Sequence, residues 1–358
     1  MDHVSAPRFF LGANAKTGFS SLYDGFVSPV AGDFLWVIKG GPGCGKSSFM
    51  KRLGAAAQDA GLHVQYILCS GDPDSLDGVY FPEKRVAYVD GTAPHVIEAD
   101  YPGAASRYLD MSVFLDVAAL RPHLPELMEL SRRYKALYAA AYGQLAAAAA
   151  LLPKNQPASL EAAESDALAR RIDALAAREL RPLKKQASCT HRFLSARSCQ
   201  GHILLTDTLP VYCERLYTLD NALGLGHSAL ARLASAAQTR GYDAIVCHDP
   251  LEPEKLEALL LPELKTGFFA AEDPDIAFPV PYRRLRLDAL AARILAPEER
   301  TMLRQKRRES RALLCAATQT LAEAKALHDT LEAVYHPHVD FSGADALAQA
   351  HIRRLLSA

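Results

Sequence analysis

Several features that would direct this chain to a membrane or to nucleic acid are missing from its sequence. No apolar run reaches the length of a membrane-spanning helix, and Met1–Pro7 lacks the basic, apolar and small-residue pattern of a signal peptide. The chain also lacks an excess of either charge, because 40 Lys and Arg residues face 41 Asp and Glu residues. This balance gives no long-range attraction to nucleic acid. The sequence therefore predicts a cytoplasmic protein with no membrane segment and no strong nucleic-acid signal.

The cysteines show no disulfide or zinc pattern. There are seven of them, an odd number, and no C-x-x-C pair occurs. Such a set is typical of reduced thiols and argues against a disulfide framework. One group of cysteines and histidines is close in sequence but matches no zinc-ligand spacing, so buried thiols are favoured over a metal site. This group is Cys189, His191, Cys199, His202 and Cys213.

The most informative stretch is Gly40–Ser47, which reads GGPGCGKS. Its spacing, G-x-x-x-x-G-K-S, is that of the phosphate-binding loop called Walker A. The apolar run Phe34–Ile38 precedes it and predicts a strand buried in a parallel sheet. The segment Lys46–Ala60 predicts a helix, with Gly61 in the position of a left-handed cap. Strand, glycine loop and helix thus follow in the order that a nucleoside triphosphate site requires.

Each residue type in this motif has a physical role. Glycines let several backbone N–H groups point at one polyphosphate, and the start of the helix adds its positive dipole end. We expect Lys46 to reach the β- and γ-phosphates and Ser47 to ligate Mg²⁺, so ATP and Mg²⁺ are the expected cofactors. The predicted nucleotide-binding residues are Gly40, Gly41, Pro42, Gly43, Cys44, Gly45, Lys46, Ser47 and Ser48.

An aspartate follows a later apolar run and is a second candidate for the metal. Asp90 ends the predicted strand Val86–Val89, which is the position of the Mg²⁺-holding aspartate downstream of a phosphate loop. A turn at Asp90-Gly91 accounts for the same residue without a function. We therefore expect Ser47 and Asp90 to serve the metal, with a weaker signal for Asp90.

Other acids and one histidine are candidates for positioning an attacking water. Asp72 and Asp74 lie in the acidic loop DPDSLDG, and His95 closes the segment DGTAPH that begins at Asp90. Carboxylate and imidazole groups are the usual general bases. Lys46, Asp90, Asp72, Asp74 and His95 are accordingly the predicted catalytic residues.

Helical periodicity replaces the strand pattern from about residue 124. Apolar residues recur there at three- and four-residue spacing, and Pro153–Pro157 interrupts the pattern. This predicts an α-helical hairpin over about 124–182, and a similar pattern predicts another over about 288–356. The hairpins are candidate surfaces for a protein partner.

The second half of the chain repeats the first. Phe10 recurs as Phe193, at an offset of 183 (193 − 10), and Pro82 recurs as Pro262, at an offset of 180 (262 − 82). The order of such matches predicts an α/β fold of two tandem P-loop NTPase-like α/β/α units with mainly parallel sheets, each followed by a helical hairpin. Residues 1–187 form the predicted active domain and residues 188–358 the degenerate repeat.

The repeat has lost charged residues. Asn221–Ser228 aligns with the Walker A segment, and in that alignment His227 replaces Lys46. At an offset of 180, Ala270 replaces Asp90. The sequence thus predicts one nucleotide site, in the first copy, with the second copy in a supporting role.

Four motifs carry a resemblance to a known family: RFFLGAN at Arg8–Asn14, IKGGPGCGKSS at Ile38–Ser48, DPDSLDG at Asp72–Gly78 and DGTAPH at Asp90–His95. The chain resembles, over nearly its whole length, an uncharacterised bacterial family of duplicated (tandem) P-loop NTPase or ATP-binding proteins. The resemblance implies nucleotide binding but no substrate. The second copy in that family often has its own phosphate loop, and Asn221–Ser228 departs from it.

Three functions stay open at the level of sequence. Mg²⁺-dependent ATP hydrolysis is favoured. A small-molecule phosphotransferase is the first alternative, because the loop is similar to that of adenylate kinases, although no arginine-rich lid is evident. A nucleotide-sensing scaffold is the second, because no glutamate adjoins Asp90 to act as a base.

Overall fold

A computed structural model describes residues 6–152, 162–272, 277–291 and 295–357 of the chain. These residues divide into two compact units. The first unit comprises Ala6–Gly143, Ala196–Ile203 and residues 316–357. The second comprises Gln144–Ser195 and Leu204–Cys315. These limits differ from the predicted division after residue 187, because the last part of the chain belongs with the N-terminal strands.

The chain contains both strands and helices, with groups of consecutive strands and groups of consecutive helices. The strands are β1 Arg8–Phe10, β2 Gly12–Ala15, β3 Gly18–Ser21, β4 Phe34–Lys39, β5 Gln65–Leu68, β6 Leu76–Phe81, β7 Val86–Asp90, β8 Ser106–Asp110, β9 Cys189–Phe193, β10 Ser195–Ser198, β11 Gly201–Leu204, β12 Arg215–Asp220, β13 Ala244–His248, β14 Leu256–Leu261, β15 Thr266–Ala271 and β16 Pro281–Leu285. The helices are α1 Lys46–Asp59, α2 Val117–Leu120, α3 Leu124–Ala150, α4 Ala162–Glu179, α5 Leu209–Tyr212, α6 Leu225–Thr239, α7 Asp288–Ala291, α8 Pro297–Tyr335 and α9 Phe341–Ser357. None of these helices is long and apolar enough to span a bilayer, as judged over the residues described.

The first unit has a mainly parallel sheet in the order β1-β5-β6-β7-β4-β8. Only β6 runs antiparallel to its neighbours among these six strands. Asp90 lies opposite Ile38 in the register of β7 and β4. The carboxyl ends of β4 and β7 therefore meet at one edge of the sheet, where ligands bind in open α/β sheets.

The second unit has the same strand order, β9-β13-β14-β15-β12-β16, with β14 as the antiparallel strand. Ala270 lies opposite Leu219 in β12, in the place that Asp90 has beside β4. The two units are thus both α/β with mainly parallel strands, and the structural register agrees with the offset of 180 that the sequence indicates around Asp90 and Ala270.

The predicted elements around the glycine motif are confirmed. β4 is buried at Trp36, Val37 and Ile38, as its apolar run requires. α1 buries one face, chiefly Phe49, Met50, Leu53 and Ala57. Gly61 follows it at φ 80°, the left-handed conformation that glycine adopts without steric cost.

Two strands of the first unit, β6 and β8, were not predicted from the sequence. The acidic loop was expected to reach Gly78, yet β6 begins at Leu76. Asp77 and Gly78 are poor strand formers and hide this strand in the sequence. A Cβ at Gly78 would lie 3.2 Å from the backbone oxygen of Tyr88, so the sheet leaves little space for a side chain there. β8 is also unexpected, since it is a half-exposed edge strand with polar residues.

The long helices pack differently from the predicted hairpins. α4 packs against α6 within the second unit, through a core that includes Leu168, Ile172 and Leu175. Leu127 and Leu130 of α3 pack instead on Leu331 of α8. The predicted break at Pro153–Pro157 lies outside the described residues.

α9 packs against α1 and completes the core of the first unit. Its His351 is buried and contacts the rings of Trp36 and Phe49. A 2.9 Å hydrogen bond joins Nδ1 of His351 to the Tyr88 hydroxyl. Burial lowers the pKa of His351 to about 4, so the imidazole is neutral in this core. The C-terminal helix is therefore part of the core that supports the glycine motif.

Candidate functional site

The loop between β4 and α1, Gly40–Gly45, is called here the glycine loop. It has two residues in the left-handed region, Gly43 at φ 68° and Gly45 at φ 89°, and Gly45 caps α1. A Cβ at Gly40 would lie 2.6 Å from the Sγ of Cys44, so the loop closes tightly on itself. Burial raises the pKa of the Cys44 thiol, which packs inside the loop as a neutral group. The sequence pattern of glycines thus corresponds to a curled backbone at the start of a helix.

Lys46, the first residue of α1, folds back over this loop. Its Nζ donates to the carbonyl oxygens of Gly41 at 3.0 Å and Gly40 at 3.3 Å. The same Nζ lies 3.6 Å from Oδ2 of Asp90, and both side chains are mostly buried. The structure therefore brings together the two predicted site residues that carry opposite charges.

Asp90 also makes a local turn. Its Oδ1 accepts hydrogen bonds from the backbone N–H of Thr92 at 2.9 Å and from the Thr92 hydroxyl at 2.6 Å. The second oxygen, Oδ2, is the one that faces Lys46. The turn and the charged contact coexist, because each uses a different carboxylate oxygen.

Ser47 lies beside the start of β6. Its Oγ accepts a hydrogen bond from the backbone N–H of Leu76 at 2.9 Å. A hydroxyl in this position keeps a second lone pair, and together with Asp90 it offers the oxygen ligands that Mg²⁺ prefers. Ser47 in α1 and Asp90 at the end of β7 therefore carry oxygen atoms of the kind that a divalent cation prefers.

A buried acid follows Leu76 and was not among the predicted site residues. Asp77 is 5% exposed, and its Oδ2 accepts a 2.8 Å hydrogen bond from the Tyr23 hydroxyl. Burial raises the pKa of Asp77, and the negative charge of Asp90 adds to this rise. His95 and the hydrogen bond from Tyr23 oppose it. In the sequence Asp77 is one of three aspartates in the acidic loop DPDSLDG. It is buried because it lies in strand β6, which the sequence does not predict.

His95 lies next to this acid. Its Nε2 is 3.9 Å from Oδ1 of Asp77, and its ring stacks on Tyr23 with centroids 4.8 Å apart. The side chain is 7% exposed, and neither ring nitrogen has a hydrogen-bond partner among the described residues. Buried polar groups are nearly always paired, so an unpartnered imidazole is a feature of a site more than of a core.

Asp72 and Asp74 have local partners instead. Asp72 accepts from the Ser75 hydroxyl at 2.9 Å and lies 3.4 Å from Nζ of Lys325 on α8. Asp74 is exposed and accepts from the side-chain amide of Gln200 at 2.9 Å. The contacts described for these two aspartates do not reach Lys46 or Ser47, so they act in the turn before β6.

α8 contacts the glycine loop directly. The backbone N–H of Gly43 donates to Oε1 of Glu332 at 3.1 Å. A Cβ at Gly41 would lie 3.4 Å from the ring of Tyr335. No sequence pattern links these residues to the loop, because they lie nearly 300 positions away along the chain.

The corresponding loop of the second unit, 221–224, is called here the short loop. It has four residues between β12 and α6, against six in the glycine loop. Gly224 caps α6 at φ 80°, as Gly45 caps α1. Leu225 therefore occupies the structural position of Lys46, and the sequence alignment of His227 with Lys46 is wrong because of the two missing residues.

His227 has a structural role in the second unit. It is buried, and its ring nitrogens lie 2.7 Å from the carbonyl oxygen of Leu256 and 2.9 Å from Nδ2 of Asn221. A Cβ at Gly226 would lie 2.9 Å from the Cβ of Ala270. The helix start thus packs closely against the residue that replaces Asp90.

A carboxylate accepts hydrogen bonds from the backbone N–H groups of the short loop. Asp288 accepts from the backbone N–H groups of Ala222 at 2.8 Å and Leu223 at 3.1 Å. Burial raises the pKa of Asp288, while these two hydrogen bonds lower it. The backbone donors of this loop are therefore already used.

In comparisons with known proteins, no family model, no curated protein and no solved structure matches this chain. The resemblance drawn from the motifs accordingly stays a prediction. The arguments for function that follow rest on the residues of the glycine loop and their neighbours.

Proposed function

We propose that the first unit binds MgATP at the glycine loop and hydrolyses it, and that the second unit is a degenerate copy of the same P-loop design. The observation that carries this proposal is the pairing of Lys46 and Asp90 at 3.6 Å beside a loop with two left-handed glycines at the start of α1. This is the arrangement that phosphoryl transfer requires: backbone N–H donors, a lysine and a metal-holding acid at one point.

Roles follow from the contacts. Lys46 leaves the carbonyl oxygens of Gly40 and Gly41 and turns to the β- and γ-phosphates, which are stronger acceptors. Ser47 and Asp90 would hold Mg²⁺, which would supply positive charge at the phosphates. Asp77 and His95 lie beyond them in a buried group and orient the attacking water. Asp72 and Asp74 shape the preceding turn.

The same group supports a second candidate, transfer of the phosphoryl group to a small hydroxyl compound. The supporting observation is the unpartnered imidazole of His95 beside the buried Asp77, since such a pair can accept the proton of a hydroxyl group. An assay of phosphate release separates the two. Release that needs no added metabolite supports hydrolysis, whereas ATP consumption that needs a metabolite pool supports transfer.

Binding is tested by titrating MgATP into the wild type and Lys46→Ala. Loss of a charge-assisted contact of about 1.5–3 kcal/mol should weaken binding roughly 10- to 100-fold. Lys51→Ala is the matched control, because Lys51 is exposed on the same helix and donates to the backbone of Asp74. Equal affinities of the wild type and Lys46→Ala would refute the proposed site.

A further inference from the structure

The glycine loop already has an anionic partner within the chain. Oε1 of Glu332 accepts the backbone N–H of Gly43 at 3.1 Å. Gly43 is one of the two left-handed residues of the loop, and in a phosphate-binding loop such N–H groups are the donors for the polyphosphate. A carboxylate and a phosphate oxygen have the same need for an N–H donor. Both cannot occupy it together.

Glu332 is held against the loop by the packing of its helix. Leu331, its neighbour, is buried among Leu127 and Leu130 of α3. About two helical turns before Glu332, Nζ of Lys325 lies 3.4 Å from Oδ2 of Asp72. A Cβ at Gly43 would lie 3.3 Å from both the Cβ and the backbone oxygen of Glu332. The helix therefore holds Glu332 next to Gly43, and the side-chain carboxylate makes the hydrogen bond.

The carboxylate of Glu332 is also accessible to water. The Glu332 side chain is 40% exposed, so its carboxylate can return to water when the N–H is needed elsewhere. Its other described contact, 3.9 Å to Nδ1 of His328, is long and solvent-exposed. Exposed ion pairs of this kind contribute little, about 0–1 kcal/mol, and do not fix the carboxylate at the loop.

We propose that Glu332 is an internal competitor of the triphosphate, which occupies a backbone donor of the glycine loop in the empty protein and must leave when MgATP binds. This inference rests on the proposed function of the loop. The apparent affinity for ATP is then reduced by the fraction of molecules whose loop is closed by Glu332. α8 thus regulates the site from the opposite end of the sequence.

Glu332→Gln tests the proposal with little change in shape. A neutral amide accepts more weakly than a carboxylate, and Glu332→Ala removes the acceptor completely. We expect MgATP to bind to Glu332→Ala about tenfold more tightly than to the wild type, the factor that corresponds to about 1.4 kcal/mol, with a smaller gain in Glu332→Gln. Glu323→Ala is the matched control, because Glu323 is exposed on the same helix, away from the described contacts of the loop.

Adenosine is the second probe. It has no phosphate, so its affinity should be the same in all variants if the competition is for the phosphate donor. Tighter binding of adenosine to Glu332→Ala would show that α8 merely covers the site and would overturn the proposal. A thermal melt of each variant verifies that the fold is intact.

The outcomes separate the inference from the function on which it rests. If the wild type and Glu332→Ala bind MgATP with equal affinity, the inference is wrong and the proposed function stands. If neither binds MgATP, both fail. If Glu332→Ala binds and the wild type binds more weakly or not at all, both are supported.

Discussion

The glycine loop and the short loop have the same position in their units but differ in length and in the residue that follows them. Each joins a buried parallel strand to a helix, and each ends in a left-handed glycine that caps the helix. The glycine loop is two residues longer than the short loop, and the helix that follows it begins with Lys46. The helix that follows the short loop begins with the buried Leu225. Loop length and the residue after the cap are therefore the features that distinguish the two loops.

The carboxylates at the two loops sharpen this contrast. Asp288 takes two N–H groups of the short loop, and burial raises the pKa of its carboxyl group. Glu332 takes one N–H group of the glycine loop, and its side chain is 40% exposed. A carboxylate with two backbone hydrogen bonds thus closes the short loop, whereas the carboxylate at the glycine loop has a single one.

The largest effect is expected from removing the C-terminal segment. A fragment of residues 1–187 lacks α9, whose His351 and Leu355 are buried in the first unit, and it leaves α4 without α6. Each buried apolar side chain contributes about 1.5–3 kcal/mol, and a domain has about 5–15 kcal/mol in all. We expect the fragment to show no cooperative thermal transition by circular dichroism, unlike the full chain. A monomeric fragment that melts cooperatively would contradict the assignment of α9 to this core.

The next largest effect concerns Asp90, which the second unit replaces with Ala270. Asp90→Asn retains the hydrogen bonds to Thr92 but removes the charge that faces Lys46. We expect Mg²⁺-dependent ATP turnover to fall about 100-fold, while ATP binding stays measurable, because the metal loses an anionic ligand. Steady-state phosphate release with a parallel binding titration measures both quantities. Turnover near the wild-type rate would make Asp90 a turn residue, as Ala270 is a packing residue.

A smaller effect is expected from His227, and it should fall on stability alone. His227→Ala leaves the carbonyl oxygen of Leu256 and the amide of Asn221 without their partner. Buried groups that lose a partner cost about 1–3 kcal/mol, so the free energy of unfolding in urea should decrease by that amount. MgATP affinity should not change. If affinity falls as far as in Lys46→Ala, the short loop takes part in binding and the comparison fails.

The smallest effect concerns Asp77, whose pKa is raised chiefly by burial. The folded protein then binds this proton more tightly than the unfolded chain, so stability falls as pH rises from the ordinary carboxyl range through the raised pKa. Asp77→Asn should be more stable than the wild type at pH 8, and the difference should shrink as the pH approaches 4. Urea unfolding at both pH values measures it, with the exposed Asp24→Asn as control. A difference that is independent of pH would mean that the pKa of Asp77 is not raised in the folded protein.

Much of this comparison could be predicted from sequence, and the rest could not for physical reasons. β4, the glycine loop and α1 have local signals, and the repeat offset correctly pairs Asp90 with Ala270. The counterpart of Lys46 was misidentified because two deleted residues move the register of the helix start, and an ungapped match of glycines conceals this. The burial of Asp77 could not be predicted, because Asp77 and Gly78 have low strand propensity and the sequence therefore predicts a loop where β6 lies.

The partners of the helices could not be predicted either. Periodicity shows that a helix has an apolar face but not which element covers it. Thus α9 covers α1, and Glu332 reaches Gly43, although neither pair is close in sequence. Such long-range contacts depend on packing of the whole chain.

The central claim is that the glycine loop is a nucleotide site and the short loop is not. Calorimetric titration of MgATP into the full chain tests this most directly. The account predicts one nucleotide per chain, with affinity at least ~10-fold weaker in Lys46→Ala, the size of a lost charge-assisted contact. Two nucleotides per chain, or a single site that survives Lys46→Ala unchanged, would contradict it.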